Sequence, residues 1–453
     1  MRMLIDDLFE RMRGYTSRTA IFEQGRTYSY GELLAKVARW EATLDSVAFS
    51  SKQVIALQSD FSFQSIALLL ALFKRGHVVA LLSPNVRDTA PFYEGAFVEH
   101  LFSCSGVEVQ SHELDALETQ KHVLLQGLEE RSHAGFIIFS SGTTGRPKAI
   151  LHDLEKFLTS YVGVSKAFNT LAFLLFDHIA GVDTLLYTLS SGGSLAVPEA
   201  RTPESVCRLI ADVGVEVLPV SPSFLNLLLI SGAYRKHDLS SLKTVSYGSE
   251  PINSHVLDKL PEIFSQARII QKYGTSEFGS PRSKTRDDSS AWMKLDSERF
   301  QTKVIDGLLW VKANSTMLGY LNAVGMLEQD GWLCTGDMVE LDGEWMRILG
   351  RKSDIINVGG EKVFPVEVEA VLSDVLGVVD SMVYGEAHVL LGNQVCVKVC
   401  HVDGEDTKEL KKQIRKHCSA TLERYKVPSK FVFSTEKLTN QREKKQRSVN
   451  QSK

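Results

Sequence analysis

The sequence has no long apolar run, no paired-cysteine motif and no excess of charge of one sign, and each absence removes a class of function. Its most apolar stretches, Ser65 to Phe73 and Leu171 to Phe176, fall well short of the roughly 18 residues that a membrane-crossing helix needs. No transmembrane helix is expected. The opening Met1-Arg-Met-Leu-Ile-Asp-Asp-Leu-Phe-Glu10 interleaves carboxylates with apolar residues, so it lacks the apolar centre of a secretory signal and a cytoplasmic protein is expected. The six cysteines (Cys104, Cys207, Cys334, Cys396, Cys400 and Cys418) form no C-x-x-C pair, which argues against a sulfur-bound zinc or redox dithiol and suits a reducing compartment. With 51 basic against 55 acidic residues the net charge is −4, and no global field draws the chain to nucleic acid. Proline is scarce, at 12 residues, and neither a Pro-rich or Ser-rich linker nor a solenoid-type repeat is visible.

What is present is a 453-residue chain, 43% hydrophobic, long enough for two or three folded units. From Ser51 to Gly331, apolar runs at 53–57, 77–82, 134–139, 215–220 and 242–247 read as strands. They alternate with helical periods, among them Arg201 to Val213, opened by Thr202-Pro203-Glu204, and Asn253 to Phe264. This is a parallel α/β pattern. After Gly331 the texture changes: strands at 332–341 and 344–350 flank the turn Asp342-Gly343, and a helix at 365–372, strands at 378–384 and 394–401 and a helix at 408–422 follow. The expected fold is α/β. A large N-terminal domain, residues 1–350, would hold parallel or mixed sheets with packed helices, and residues 351–453 a small α+β domain, with the break at Gly350-Arg-Lys-Ser353. The end of the chain, Arg442 to Lys453, carries five basic side chains against one Glu and reads as a solvated tail.

The most informative segment is Phe136-Ile-Ile-Phe-Ser-Ser-Gly-Thr-Thr-Gly-Arg-Pro-Lys148, an apolar strand that runs into a loop rich in hydroxyls and glycine. Gly142 and Gly145 permit close backbone approach, Ser140, Ser141, Thr143 and Thr144 can donate to phosphate oxygens, and Lys148 adds a charged donor. The spacing is not Walker A, because two residues separate Gly142 from Gly145 and two more separate Gly145 from Lys148. No His lies beside the four hydroxyls to activate them, so they read as phosphate donors rather than nucleophiles.

Ser140 to Lys148 resembles the signature of the AMP-forming adenylating enzymes, which include acyl- and aryl-CoA synthetases, nonribosomal peptide adenylation domains and luciferases. Four more motifs follow in that superfamily's order: Lys272-Tyr-Gly-Thr-Ser-Glu277, Trp332-Leu-Cys-Thr-Gly-Asp337, Gly350-Arg351 with Asp354-Ile-Ile-Asn-Val-Gly-Gly360, and Glu361-Lys-Val-Phe-Pro-Val-Glu-Val-Glu369. The resemblance runs from Tyr28-Ser-Tyr-Gly-Glu-Leu33 to the tail. It implies that ATP and a carboxylic acid form an acyl adenylate, with Glu277 holding Mg²⁺, Ser276 contacting the α-phosphate, and Lys148 assisting catalysis. By the same resemblance Asp337 accepts the ribose hydroxyls and Arg351 contacts ribose or phosphate, while Tyr247, Gly248, Ser249, Glu250 and Pro251, with Tyr273 and Gly274, border the adenine slot. A catalytic Lys is implied near the C-terminus. Lys445 matches best, in Leu438-Thr-Asn-Gln-Arg-Glu-Lys-Lys-Gln-Arg447, with Lys444 beside it, although Thr439 and Lys444 stand where Pro and Gly are usual.

The resemblance also implies a small domain that rotates about a hinge at Ser353, where Asp or Lys is commoner, so that Gly359, Gly360 and Glu361 line a tunnel for the thiol of coenzyme A or of a phosphopantetheine arm on an acyl carrier protein. The acid would sit against Phe176, Asp177, His178 and Gly248. Phe176-Asp-His-Ile179 resembles carboxylic acid–CoA ligases more than amino-acid-activating relatives, and the compressed segment 279–311 resembles their compact members. A small or aryl carboxylic acid is the expected substrate, with no nucleic acid partner. A stand-alone adenylating enzyme that serves an amine or other acceptor, and an inactive nucleotide-binding relative, are the alternatives.

Overall fold

The computed structural model describes residues 3–46, 53–105, 108–114, 121–141, 146–248, 250, 252, 254–287, 290–296, 299–325, 327–328, 330–401, 406–435 and 438. Among these, two seven-stranded sheets share a core. The first orders Arg268–Gln271, Thr244–Tyr247, Val217–Val220, Asn169–Leu171, Ser194–Val197, Thr19–Glu23 and Arg26–Ser29, and is parallel except for its last hairpin pair. The second orders Gly319–Tyr320, Pro147–Asp153, Gly135–Ser141, Val78–Leu82, Val54–Gln58, His100–Ser105 and Glu108–Glu113; its three middle pairings are parallel and its outer ones antiparallel. The runs predicted as strands therefore fall in mixed sheets; three of the antiparallel pairs join consecutive strands where the chain turns straight back, and the fourth brings Gly319–Tyr320 against Pro147–Asp153 from far along the chain.

Ala20, Ile21 and Leu195 of the first sheet join Ile55, Leu81, Phe136 and Ile138 of the second in one buried cluster, which the helices Phe63–Lys74 and Ile179–Ser191 fill. Ser62 and Ser65 form a reciprocal capping box at the start of Phe63–Lys74, and every residue from Ser65 to Phe73 is buried, as a helix apolar all round must be. Ile179–Ser191 begins at His178 and ends at Gly192, which takes the left-handed conformation, φ +74°. The predicted helices appear as Pro203–Val213 and Ser254–Ile263. Among the described residues no helix is long and apolar enough to cross a membrane, and all six cysteines are free.

A third, antiparallel sheet of six strands includes the predicted pair Leu333–Asp342 and Trp345–Arg351, joined through Gly343 at φ +59°. Beyond it, Glu361–Val363, Ile356–Val358, Gly392–His401, Val378–His388 and Lys430–Ser434 form a last sheet. With the helices Pro365–Ser373 and Thr407–Thr421 this sheet encloses its own core, from Ile356 to Cys418. The strand Val378–His388 runs past the predicted end at Tyr384, because Gly385-Glu-Ala-His388 is paired through its backbone and carries no apolar signal. We propose the break between the two units at Gly350–Ser353, where Trp345–Arg351 gives way to the one-turn helix Lys352–Asp354.

Candidate active site

The strand Gly135–Ser141 pairs with Pro147–Asp153, placing Ser140 opposite Lys148 and Ser141 opposite Pro147 at the mouth of the hydroxyl-rich loop. Gly142, Thr143, Thr144 and Gly145 lie outside the described residues. The exit of the loop is pinned by Asn322, whose amide donates to the Pro147 carbonyl at 2.8 Å and accepts from the Ala149 N–H at 2.9 Å. Lys148 Nζ lies 5.3 Å from the centre of the Tyr320 ring, and the Tyr320 hydroxyl donates to Glu277 Oε1 at 2.9 Å. Lys148 and Glu277, 129 residues apart in sequence, thus meet through one tyrosine. Sequence reasoning missed Tyr320 and Asn322. Tyr320 lies on the two-residue strand Gly319–Tyr320 and Asn322 just beyond it, and so short a strand shows no periodicity.

Ser276 is buried, and its carbonyl accepts from His152 Nε2 at 2.7 Å. His152 stacks on Phe136 at 4.8 Å and is fully buried, which pushes its pKa down to about 4, against the opposing pull of the Ser276 carbonyl and Glu277. The imidazole is therefore neutral near pH 7. It fixes the backbone between Thr275 and Glu277, whose own N–H donates to Thr275 Oγ1 at 3.2 Å.

Asp337 faces Arg351 directly across the strand pair. One carboxylate oxygen accepts the Tyr273 hydroxyl at 2.6 Å, and the other lies 3.6 Å from Arg351 Nε. Burial raises the Asp337 pKa above the ordinary carboxylate value; the Tyr273 hydrogen bond and Arg351 pull it back, and Glu277 and Asp354 add to the rise. The sequence expectation set Tyr273 beside the adenine slot. In the structure its ring is buried against Phe278 and its hydroxyl serves Asp337. Arg351 is exposed, so its head is open to an anion.

Gly248 follows the strand Thr244–Tyr247 and Gly274 lies three residues beyond the strand Arg268–Gln271, and both are required by close approach. A Cβ on Gly248 would lie 2.5 Å from the Lys272 carbonyl, and one on Gly274 would lie 2.3 Å from the Gly279 carbonyl. Glu250 Oε1 accepts from the Ser223 N–H at 2.8 Å, at the start of the helix Pro222–Ser231. Ser249 and Pro251 lie outside the described residues. Phe176 packs edge-on against Phe61 in the core, and Asp177 is buried. His178 Nδ1 accepts from the Ala180 N–H at 3.2 Å and so caps its helix. Ser353 is exposed and donates to Asp354 Oδ1 at 2.9 Å. Gly359 and Gly360, both at positive φ, form an exposed two-residue turn leading into Glu361. Lys444 and Lys445 lie outside the described residues.

A profile of the AMP-binding enzyme family matches residues 8–321, and one of the AMP-binding enzyme C-terminal domain matches residues 367–445. The chain belongs to the AMP-binding enzyme family. The enzyme is 26% identical over 454 residues to a 2-succinylbenzoate–CoA ligase of Listeria monocytogenes serotype 4b, with 94% of each chain covered. Its fold is similar to that of the anthranilate CoA ligase AuaEII solved with anthranoyl-AMP, at TM-score 0.82 and 19% identity over 98% of this chain and 95% of that one. It is likewise similar to ATP-bound MatB from Rhodopseudomonas palustris, at TM-score 0.82 and 21% identity over 97% and 96% of the two chains. The expected architecture of a large N-terminal and a small C-terminal domain is that of these neighbours.

Among the described residues no group of three or more His, Cys, Asp or Glu is placed to hold a metal ion. A single carboxylate such as Glu277 fits Mg²⁺, which takes one or two protein carboxylates and fills its shell with phosphate oxygens and water.

Proposed function

We propose that the enzyme activates a small carboxylic acid with ATP and transfers the acyl group to the thiol of coenzyme A. The acid's carboxylate oxygen attacks the α-phosphorus, the bond to the bridging oxygen breaks, and pyrophosphate leaves with the electron pair. The thiol sulfur then attacks the acyl carbon, AMP departs, and the thiol proton passes to solvent. The observation that carries this reading is the convergence of Tyr273 and Arg351 on Asp337, with Lys148 and Glu277 joined through Tyr320.

Two anions must meet in the first step, so the site has to supply positive charge and donors where charge accumulates. Asp337, with acceptor oxygens and an adjacent cation, suits the ribose diol; Arg351 suits ribose or phosphate. Lys148 and the hydroxyls of Ser140, Ser141, Thr143 and Thr144 suit the phosphate chain. Glu277 would hold Mg²⁺, which supplies charge neutralisation across the phosphates when bound. Lys445 would neutralise the α-phosphate during adenylation, after which the small domain turns about Ser353 and brings Gly359, Gly360 and Glu361 to the thiol. The named activities of the curated relative and of the anthranilate ligase support a small or aryl acid. Free, mostly buried thiols suit a cytoplasmic setting.

The test is pyrophosphate release from ATP and Mg²⁺ across short, long, aryl and amino acids, with hydroxylamine as trap and then with coenzyme A. Release with one acid class and stimulation by coenzyme A are expected. A working trap with no response to coenzyme A would move the thiol to a carrier-protein pantetheine arm or the acyl group to a non-thiol acceptor. Bound ATP with no release from any acid would overturn the reading.

A further inference from the structure

Beside the proposed adenylate site lies a cavity of about 90 Å³. The segment that carries Tyr273, Ser276 and Glu277 also gives the cavity Lys272 and residues 279–282, and the helix capped by His178 gives it Asp183 and Tyr187. The two spaces therefore share their walls. Five charged side chains line the cavity, with one cation in excess: Lys272, Arg282 and Arg299 against Asp183 and Asp296.

The charges are not equally engaged. Asp183 Oδ1 accepts the Tyr161 hydroxyl at 2.7 Å. Arg299 is tied to the carbonyls of Ser160 and Val162, the latter at 3.0 Å. Lys272 and Arg282 have no side-chain hydrogen bond or ion pair among the described residues. Asp183 and Lys272 still feel each other, for each moderates the shift that burial imposes on the other's pKa. Two cations held over a polar cavity without a direct acceptor are costly unless an anion joins them.

Resting on the acid-activation reading, we propose that the substrate is a short dicarboxylic acid, one carboxylate presented to the α-phosphate and the other taken by Lys272 and Arg282 in this cavity. Size supports the same class. An engineered cavity of about 150 Å³ accepts a benzene ring, so this smaller one takes a carboxylate on a short stem and excludes a long alkyl chain. Asp183, which accepts from Tyr161 and lines the same cavity, adds a negative charge that opposes a bound anion.

The deciding experiment measures kcat/KM for acid-dependent pyrophosphate release with matched pairs: succinate and butyrate, glutarate and valerate, isophthalate and benzoate, with 4-aminobutyrate as the cationic comparison. At least one diacid should exceed its monoacid by about tenfold or more, the scale of one charge-assisted contact. Arg282→Gln and, separately, Lys272→Met should lower that ratio about tenfold, and Asp183→Asn should raise it. The ratio is read within each preparation, so partial loss of folded protein does not distort it. Faster turnover of monoacids or of 4-aminobutyrate by the native enzyme, or a ratio unmoved in both cation variants, would overturn the dicarboxylate assignment and leave acid activation standing. Bound ATP with silence from every acid would overturn acid activation itself and take this inference with it.

Discussion

The hydroxyl of Tyr273 donates to the buried carboxylate of Asp337 at 2.6 Å, joining positions 64 residues apart. Removing this donor leaves Asp337 with Arg351 as its main counterpart and costs about 1 kcal/mol, the net value of one such hydrogen bond. Tyr273→Phe should therefore fold, lose about one to two degrees in Tm, and raise the KM for ATP several-fold with little change in the KM for the acid. Calorimetry and ATP titration of pyrophosphate release check both. An unchanged KM for ATP would show that this bond does not prepare the ribose site.

Asp337 itself opposes stability. Burial holds its carboxyl above the ordinary value, so the folded state keeps that proton to a higher pH than the unfolded chain does. This group's contribution thus falls as pH rises through the range above the ordinary carboxyl value of 3.8. Asp337→Asn should be at least as stable as the native enzyme near pH 7 while raising the KM for ATP tenfold or more, as expected when an ionic acceptor is lost. Loss of both stability and binding would assign Asp337 to the scaffold rather than to the nucleotide.

His152 has the opposite sign. Its folded pKa, about 4, lies below the ordinary 6.5, so the unfolded chain takes up a proton that the folded protein refuses. Stability should therefore fall as pH drops from about 6.5 to 4, by up to about 3 kcal/mol from this residue. His152→Gln should flatten that part of the curve. Urea titrations at a series of pH values measure it, and an equally steep curve in the variant would move the effect elsewhere.

Tyr320 has two functions that substitution can separate. Phe at this position keeps the ring over Lys148 and loses the donor to Glu277, whereas Ala loses both. The expected order of kcat is native, Tyr320→Phe, Tyr320→Ala, with the Mg²⁺ requirement shifted upward already in the Phe variant. If Phe behaved as native at limiting Mg²⁺, the bond to Glu277 would have no part in presenting that carboxylate.

For the C-terminal lysines, Lys445→Ala should slow adenylation strongly and leave thiolation of a supplied acyl adenylate nearly intact, with a smaller effect of Lys444→Ala. Single-turnover assays of the two half-reactions distinguish them. If Lys445→Ala slowed neither step, that assignment would be wrong.

Much of the fold was legible because its signals are local. The strands 53–57 and 77–82 announced themselves by continuous apolar runs, and the helix after Thr202-Pro203-Glu204 by a cap and a period; the structure places them within a residue or two. The order of motifs from Ser140 to Glu369 was likewise enough to reach the family, since each motif is a short run whose chemistry resides in its own residues. Mixed sheet pairing was less legible, because neighbouring strands are chosen by crossover geometry and not by the composition of either strand.

By itself, then, the sequence determined the strands that are continuous apolar runs and the helices that carry a cap and a period, the identity of the donors and acceptors in each motif, and membership of the adenylating superfamily. Only the tertiary structure decided that Tyr273 serves Asp337, that Tyr320 bridges Lys148 and Glu277, that His152 braces Ser276, and that Lys272 and Arg282 face a cavity with no direct acceptor among the described residues. Each of these relationships joins residues far apart in the chain. Such distances are set by how whole sheets and helices pack, a property of the assembled core that no local run of residues encodes.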